Sequence, residues 1–160
     1  MFHCVRDMLL DTQLEVRQGA ATTLSGMVRC SPEHFRKQKI EELQKHFTDM
    51  LVKNPLPKRN RNQAPSSGTN TPTQEQNRLV LTRHAAVLGL GALVQAFPYT
   101  SPPPSWLPEV LATLAGKAAS DAGMVGKSVK TILSDFKKTR QDTWQIDVKV
   151  SLMELERDVL

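Results

Sequence analysis

The chain has 160 residues, enough for one domain with a sizeable core, and its formal net charge is +5. Two cysteines exclude a disulfide framework, and the basic balance suits either an acidic partner or a solvated cationic surface. No apolar run approaches roughly 18 residues, so no membrane span is expected, and Arg6, Asp7 and Asp11 interrupt the stretch that a signal peptide would keep apolar.

Phe2 to Leu10 reads as the end of a helix, with Phe2, Val5, Met8 and Leu9 as a raw apolar face. Such a face predicts marginal stability or self-association. Asp11 or Thr12 is expected to cap the next helix, which runs to about Cys30 on a stripe of Val16, Ala20, Leu24, Met27 and Val28. Gly19 and Gly26 weaken that helix by roughly 1 kcal/mol each, so close packing against a neighbour is expected there. Ser31-Pro32-Glu33 reads as a second helix start, with serine as cap. The helix after it buries Ile40, Leu43, Phe47, Met50 and Leu51 and leaves a charged face outside.

From Lys53 to Gln74 the periodicity stops. The segment is polar, Pro-rich and basic, and it reads as a disordered loop. Glu75 to Phe97 is apolar around most of its circumference and should be the central helix. Trp106 to about Ala119 follows, with Pro108 in its first turn, and Asp121 is expected to cap a final helix ending near Thr139. Residues 142–150 alternate loosely and read as extended; residues 151–160 read as a short amphipathic helix.

One helical phrase occurs three times: Val16-Arg17-x-x-Ala20-x-x-x-Leu24, Thr82-Arg83-x-x-Ala86-x-x-x-Leu90 and Val125-x-x-x-Val129-x-x-x-Leu133. The last two copies are 43 residues apart and the first two 66, or 44 once residues 53–74 are set aside. HEAT and armadillo helix pairs repeat every 40–47 residues or so. The expected fold is therefore all-α, an α-solenoid of HEAT/armadillo-like helix pairs with one long disordered loop. Its parts are helices over 1–52, the loop over 53–74, helices over 75–141 and a tail over 142–160. Solenoids mostly bind other macromolecules.

Nothing in the chain forms a catalytic, cofactor or metal constellation. His3, His34, His46 and His84 have no His or Cys partner at ligand spacing. Glu41-Glu42 diverge on a helix, and Gly89-x-Gly91 has no strand before it and no lysine after it. Lys58, Arg59 and Arg61 form a candidate nuclear-import or acidic-partner patch. Thr71, before Pro72, is the candidate phosphosite, because a phosphate there would cancel part of the basic charge. Trp106 and Trp144 read as packing anchors at element ends.

The runs Glu15–Gly26, Arg83–Val94, Trp106-Leu107-Pro108 and Asp135–Trp144 closely resemble the C-terminal end of the proteasome activator subunit 4 family, over about residues 1–150. The resemblance implies a segment of a very large HEAT-repeat solenoid that binds the α subunits of the proteasome core particle without ATP or ubiquitin. It further implies a nuclear and cytoplasmic location, and degradation of acetylated histones in DNA repair and spermatogenesis. Neither a membrane nor a small-molecule substrate is implied. The family ends in a Tyr-Tyr-Ala type of tail that docks between α subunits and helps open the gate. Here the last residues are Val159 and Leu160, and Tyr99 is the only tyrosine, so tail docking would rest on Val159, Leu160 and the terminal carboxylate. That departure, and the start at Met1, read as a fragment or a splice isoform. The alternative reading is a HEAT-like adaptor for nuclear cargo or nucleic acid, acting through the basic loop.

Overall fold

The computed structural model describes residues 1–57 and 73–142, and all six elements among them are α-helices. They are α1 (Phe2–Met8), α2 (Leu14–Cys30), α3 (Glu33–Lys53), α4 (Gln74–Ala96), α5 (Leu107–Lys117) and α6 (Met124–Thr139). The expected core of the disordered loop and the expected tail elements lie outside the described residues.

Helix α4 is the hub: it packs against α2, α3, α5 and α6, while α1 lies on α2. Its start is set by a reciprocal capping box, in which Thr73 Oγ1 accepts from the Gln76 amide and Gln76 Oε1 accepts from the Thr73 amide. From Arg83 to Ala96 nearly every residue is buried, so the helix has no wet face over its second half. By length and mean hydropathy α4 would suffice to cross a membrane, contrary to the expectation from the sequence, but four helices cover it. Its apolar circumference is accounted for by that packing.

Two glycines let neighbours reach the α4 backbone. The Phe47 ring of α3 lies where a Cβ at Gly89 would be, and a Cβ at Gly91 would come within 2.5 Å of Ile132 Cδ1 of α6. Phe47 is 1% exposed in this position. The close packing expected at Gly19 and Gly26 of α2 is absent: nothing lies within 4 Å of a Cβ at either.

Three expected caps are corrected. The α2 N-cap is Gln13, and Asp11 instead accepts from the Gln13 amide in a local turn. The α3 N-cap is Pro32, because Ser31 Oγ turns back to donate to the Met27 carbonyl of α2. The α6 N-cap is Gly123 at φ 70°, and Asp121 points elsewhere. In each case the side chain is committed to another partner: Asp11 to the Gln13 amide, Ser31 to the Met27 carbonyl and Asp121 to the Arg83 guanidinium. The face expected to be raw is partly closed: Val5 and Leu9 are buried, while Met8 is 52% exposed.

Candidate functional site

The recurring phrase places Arg17 on α2 and Arg83 on α4 at matching positions, and both guanidiniums are buried. Buried cations need partners for every donor. Arg17 donates through Nη1 to the Asp11 and Thr12 carbonyls, at 2.8 and 3.0 Å, just beyond α1. Arg83 donates through Nη1 to the Leu51 and Asn54 carbonyls, at 3.1 and 2.9 Å, at the end of α3. Arg83 therefore fastens to carbonyls at the end of α3, where backbone acceptors have no helical donor, and Arg17 to carbonyls of the linker between α1 and α2.

Their remaining donors differ. Arg83 Nε and Nη2 form a bidentate pair with Asp121, at 2.7 and 3.1 Å, and Nη2 also reaches the Lys117 carbonyl at 2.6 Å. That ties α4 to the α5–α6 junction. Arg17 Nε donates to His84 Nδ1 at 3.1 Å, and Nη2 approaches the Met124 sulfur at 3.1 Å. A cationic donor on Nδ1 requires that nitrogen to be bare, so His84 carries its proton on Nε2 and donates it to Ser128 Oγ at 2.9 Å. Burial, then the Arg17 charge, push the His84 pKa down to about 4. One chain of contacts, Arg17–His84–Ser128, so crosses α2, α4 and α6. In the third phrase the matching position is Gly126, where a Cβ would meet the Asp121 carbonyl, so the loop packs on the helix backbone directly.

Two open clefts flank this framework. One, of about 930 Å³, is lined by Leu51, Leu56, Leu79 and Val80 and by the Arg83–Asp121 pair. The other, of about 560 Å³, is lined by Arg36, Ile40, Phe97, Pro104 and Trp106. In it Arg36 lies 5.5 Å from the Phe97 ring centroid and holds the Ser31 carbonyl, and Trp106 meets Phe97 edge-on. Trp106 is thereby an anchor for the loop after α4. In the first cleft the Asp121 carboxylate is committed to Arg83. Among the described residues no group of three His, Cys, Asp or Glu side chains could hold a metal.

Lys58, Arg59, Arg61, Thr71, Val159 and Leu160 lie outside the described residues, as does Trp144. Ser31, also before a proline, is buried with its hydroxyl committed to Met27. The arginine–histidine network was missed by sequence reasoning. The signal was present in the phrase itself, since a charged residue recurred on an apolar stripe.

A sequence model described as "Proteasome activator complex subunit 4-like, C-terminal" matches residues 80–158. The chain is 40% identical to human proteasome activator complex subunit 4 over 141 residues, 88% of this chain and 7% of that protein. It is 35% identical to proteasome activator BLM10 of Saccharomyces cerevisiae over 134 residues, 84% of this chain and 6% of that protein. It is 34% identical to Arabidopsis thaliana proteasome activator subunit 4 over 158 residues, 98% of this chain and 8% of that protein. The chain thus spans less than a tenth of the length of these relatives.

Proposed function

Since the chain belongs to the proteasome activator subunit 4 family and matches its C-terminal region, we propose that it is a docking segment, regulatory and not catalytic, that binds the α ring of the proteasome core particle. The carrying observation is the extent of the likeness: the family model matches residues 80–158, and the human relative aligns over 88% of the chain. In this reading α2 to α6 are HEAT-like helices, stacked through α4 and locked by the two buried arginines. A rigid stack suits a cap, because the geometry it presents to a ring must not flex. Binding energy would come from surfaces of the stack and from the tail, with Val159 and Leu160 entering a site between α subunits. The same reading places the protein in nucleus and cytoplasm and connects it with removal of acetylated histones in DNA repair and spermatogenesis.

The test is capture of purified core particle with peptide hydrolysis measured in parallel. The parent chain is compared with a version whose last residues are Tyr-Tyr-Ala. Binding by both supports docking through the helical face, and binding with activation only by the restored tail assigns docking to the tail. Capture by neither sinks the reading for this segment.

A further inference from the structure

Arg17 and Arg83 hold matching places in two copies of the helical phrase, and their Nη2 groups meet different acceptors. Arg83 Nη2 donates to oxygen, the Lys117 carbonyl at 2.6 Å and Asp121 Oδ1 at 3.1 Å. Arg17 Nη2 donates to sulfur, Met124 Sδ at 3.1 Å. A thioether is a weak acceptor for a charged donor. The guanidinium is not free to seek a better one. Its Nη1 is held by the Asp11 and Thr12 carbonyls, its Nε by His84 Nδ1, and the residue is 3% exposed. Met124 is the first residue of α6, just after Gly123, and is 42% exposed. A fixed, buried cation therefore meets an accessible sulfur across the α2–α6 junction.

We propose that Met124 is a reversible oxidation site, at which a peroxide converts the thioether into a sulfoxide whose oxygen accepts from Arg17. The sulfur lone pair attacks one peroxide oxygen, the O–O bond breaks and an S–O bond forms. The other oxygen leaves as hydroxide and takes the proton of the first to become water. Sulfur loses two electrons and the peroxide gains them. A thiol-dependent reductase reverses the change: two thiols become a disulfide, and the sulfoxide oxygen leaves as water. Oxidised methionine ordinarily disrupts the apolar packing around it. Met27 and Met50 pack against the hydrophobic core and fit that rule. Met124 instead faces a guanidinium, and the added oxygen gives the first phrase the kind of acceptor that the second already has. Hydrogen bonds from a charged donor are roughly twice as strong as neutral ones, so oxidation tightens this joint. The inference is independent of the proteasome reading.

The test treats the full chain and a Met124→Leu variant with hydrogen peroxide, follows each methionine by peptide mass spectrometry and records thermal unfolding. Once the peptide bearing Met124 has gained one oxygen, the change in midpoint on treatment should be more favourable in the parent chain than in the variant by about 2–4 °C. Subtracting the variant removes the effect of oxidation at Met8, Met27 and Met50. Reduction by a sulfoxide reductase with a thiol should erase the difference. In nuclear magnetic resonance the guanidinium protons of Arg17 should exchange with water more slowly after oxidation, a readout that a merely space-filling Met124 would not move. If peroxide unfolds both chains through Met27 and Met50, Met124→Gln decides. It supplies an oxygen acceptor without peroxide and should unfold at least about 2 °C above Met124→Leu. Equal changes in parent and variant, a fall specific to Met124, or a Met124 still unoxidised once the more exposed Met8 is fully converted would each overturn the proposal.

Discussion

Arg17 and Arg83 stand at the same place in two helical phrases, and the molecule satisfies them in different ways. Both seize backbone carbonyls ahead of their own helix, Arg17 in the α1–α2 linker and Arg83 at the end of α3. Arg83 then meets a carboxylate, Asp121, so the charge is neutralised in place. Arg17 meets an imidazole and a thioether, and burial first, then the Arg17 charge, keeps His84 neutral. The third phrase has Gly126 in that position and dispenses with a cation altogether. Two copies of the phrase thus tie a helix to preceding backbone carbonyls while differing in their electrostatics.

The largest effect should come from splitting the neutralised pair. Arg83→Ala leaves Asp121 buried and alone, with the Leu51, Asn54 and Lys117 carbonyls stripped of their donor. A loss of about 3–5 kcal/mol is expected in urea or thermal unfolding. A loss under about 1 kcal/mol would show that the pair is not a joint.

The second effect concerns the other arginine and runs through pH. His84 has a folded pKa near 4 against an ordinary value of 6.5. The unfolded chain takes up the proton first, so the contribution is fully present above 6.5 and is lost as pH falls toward 4. The loss over that window should be roughly 3 kcal/mol. His84→Gln should flatten this part of the stability profile, and an unchanged slope in that variant would assign it to other groups. Arg17→Met should shift the midpoint of the slope upward, because it removes the cation beside the ring.

Gly126→Ala probes the third phrase. The added methyl meets the Asp121 carbonyl, which is backbone and cannot rotate away. A loss of about 1–3 kcal/mol is expected from displacement of the loop that also positions the Asp121 carboxylate. Smallest is Gly19→Ala, where open space surrounds the new methyl. It should stabilise the chain by about 0.5–1 kcal/mol through helix propensity alone. Destabilisation by Gly19→Ala would mean that α2 packs there against something further.

Much of the helical framework was legible because periodicity is local. Of the stripe Val16, Ala20, Leu24, Met27 and Val28, the structure buries Ala20, Leu24 and Val28 and leaves Val16 and Met27 half-buried, and from Ala85 to Val94 every residue but Leu88 is buried. Pro108 marked the first turn of α5, as proline costs nothing where amides are unpaired anyway. Caps were less legible. Ser31 and Asp121 have the chemistry of a cap, but each also reaches a competing partner, and sequence does not rank a local amide against an arginine 38 residues away.

Glycines divide in the same way. Gly19, Gly26, Gly89 and Gly91 look alike in the sequence, as small residues inside helices. Only packing separates them: a ring and an isoleucine side chain occupy the space beside the last two, and open space lies beside the first two. No composition or spacing carries that distinction, because it depends on which helix crosses at which turn.

By itself the sequence determined the helices, the repeat, the apolar faces and the likeness to a proteasome-activator family, because each is written in neighbouring residues or in runs that match in order. The tertiary structure alone decided which cation is paired with a carboxylate, which imidazole must stay neutral and which glycines admit a neighbour. Those depend on distances between residues far apart in the chain, and such distances exist only once α4 has gathered the other helices around it.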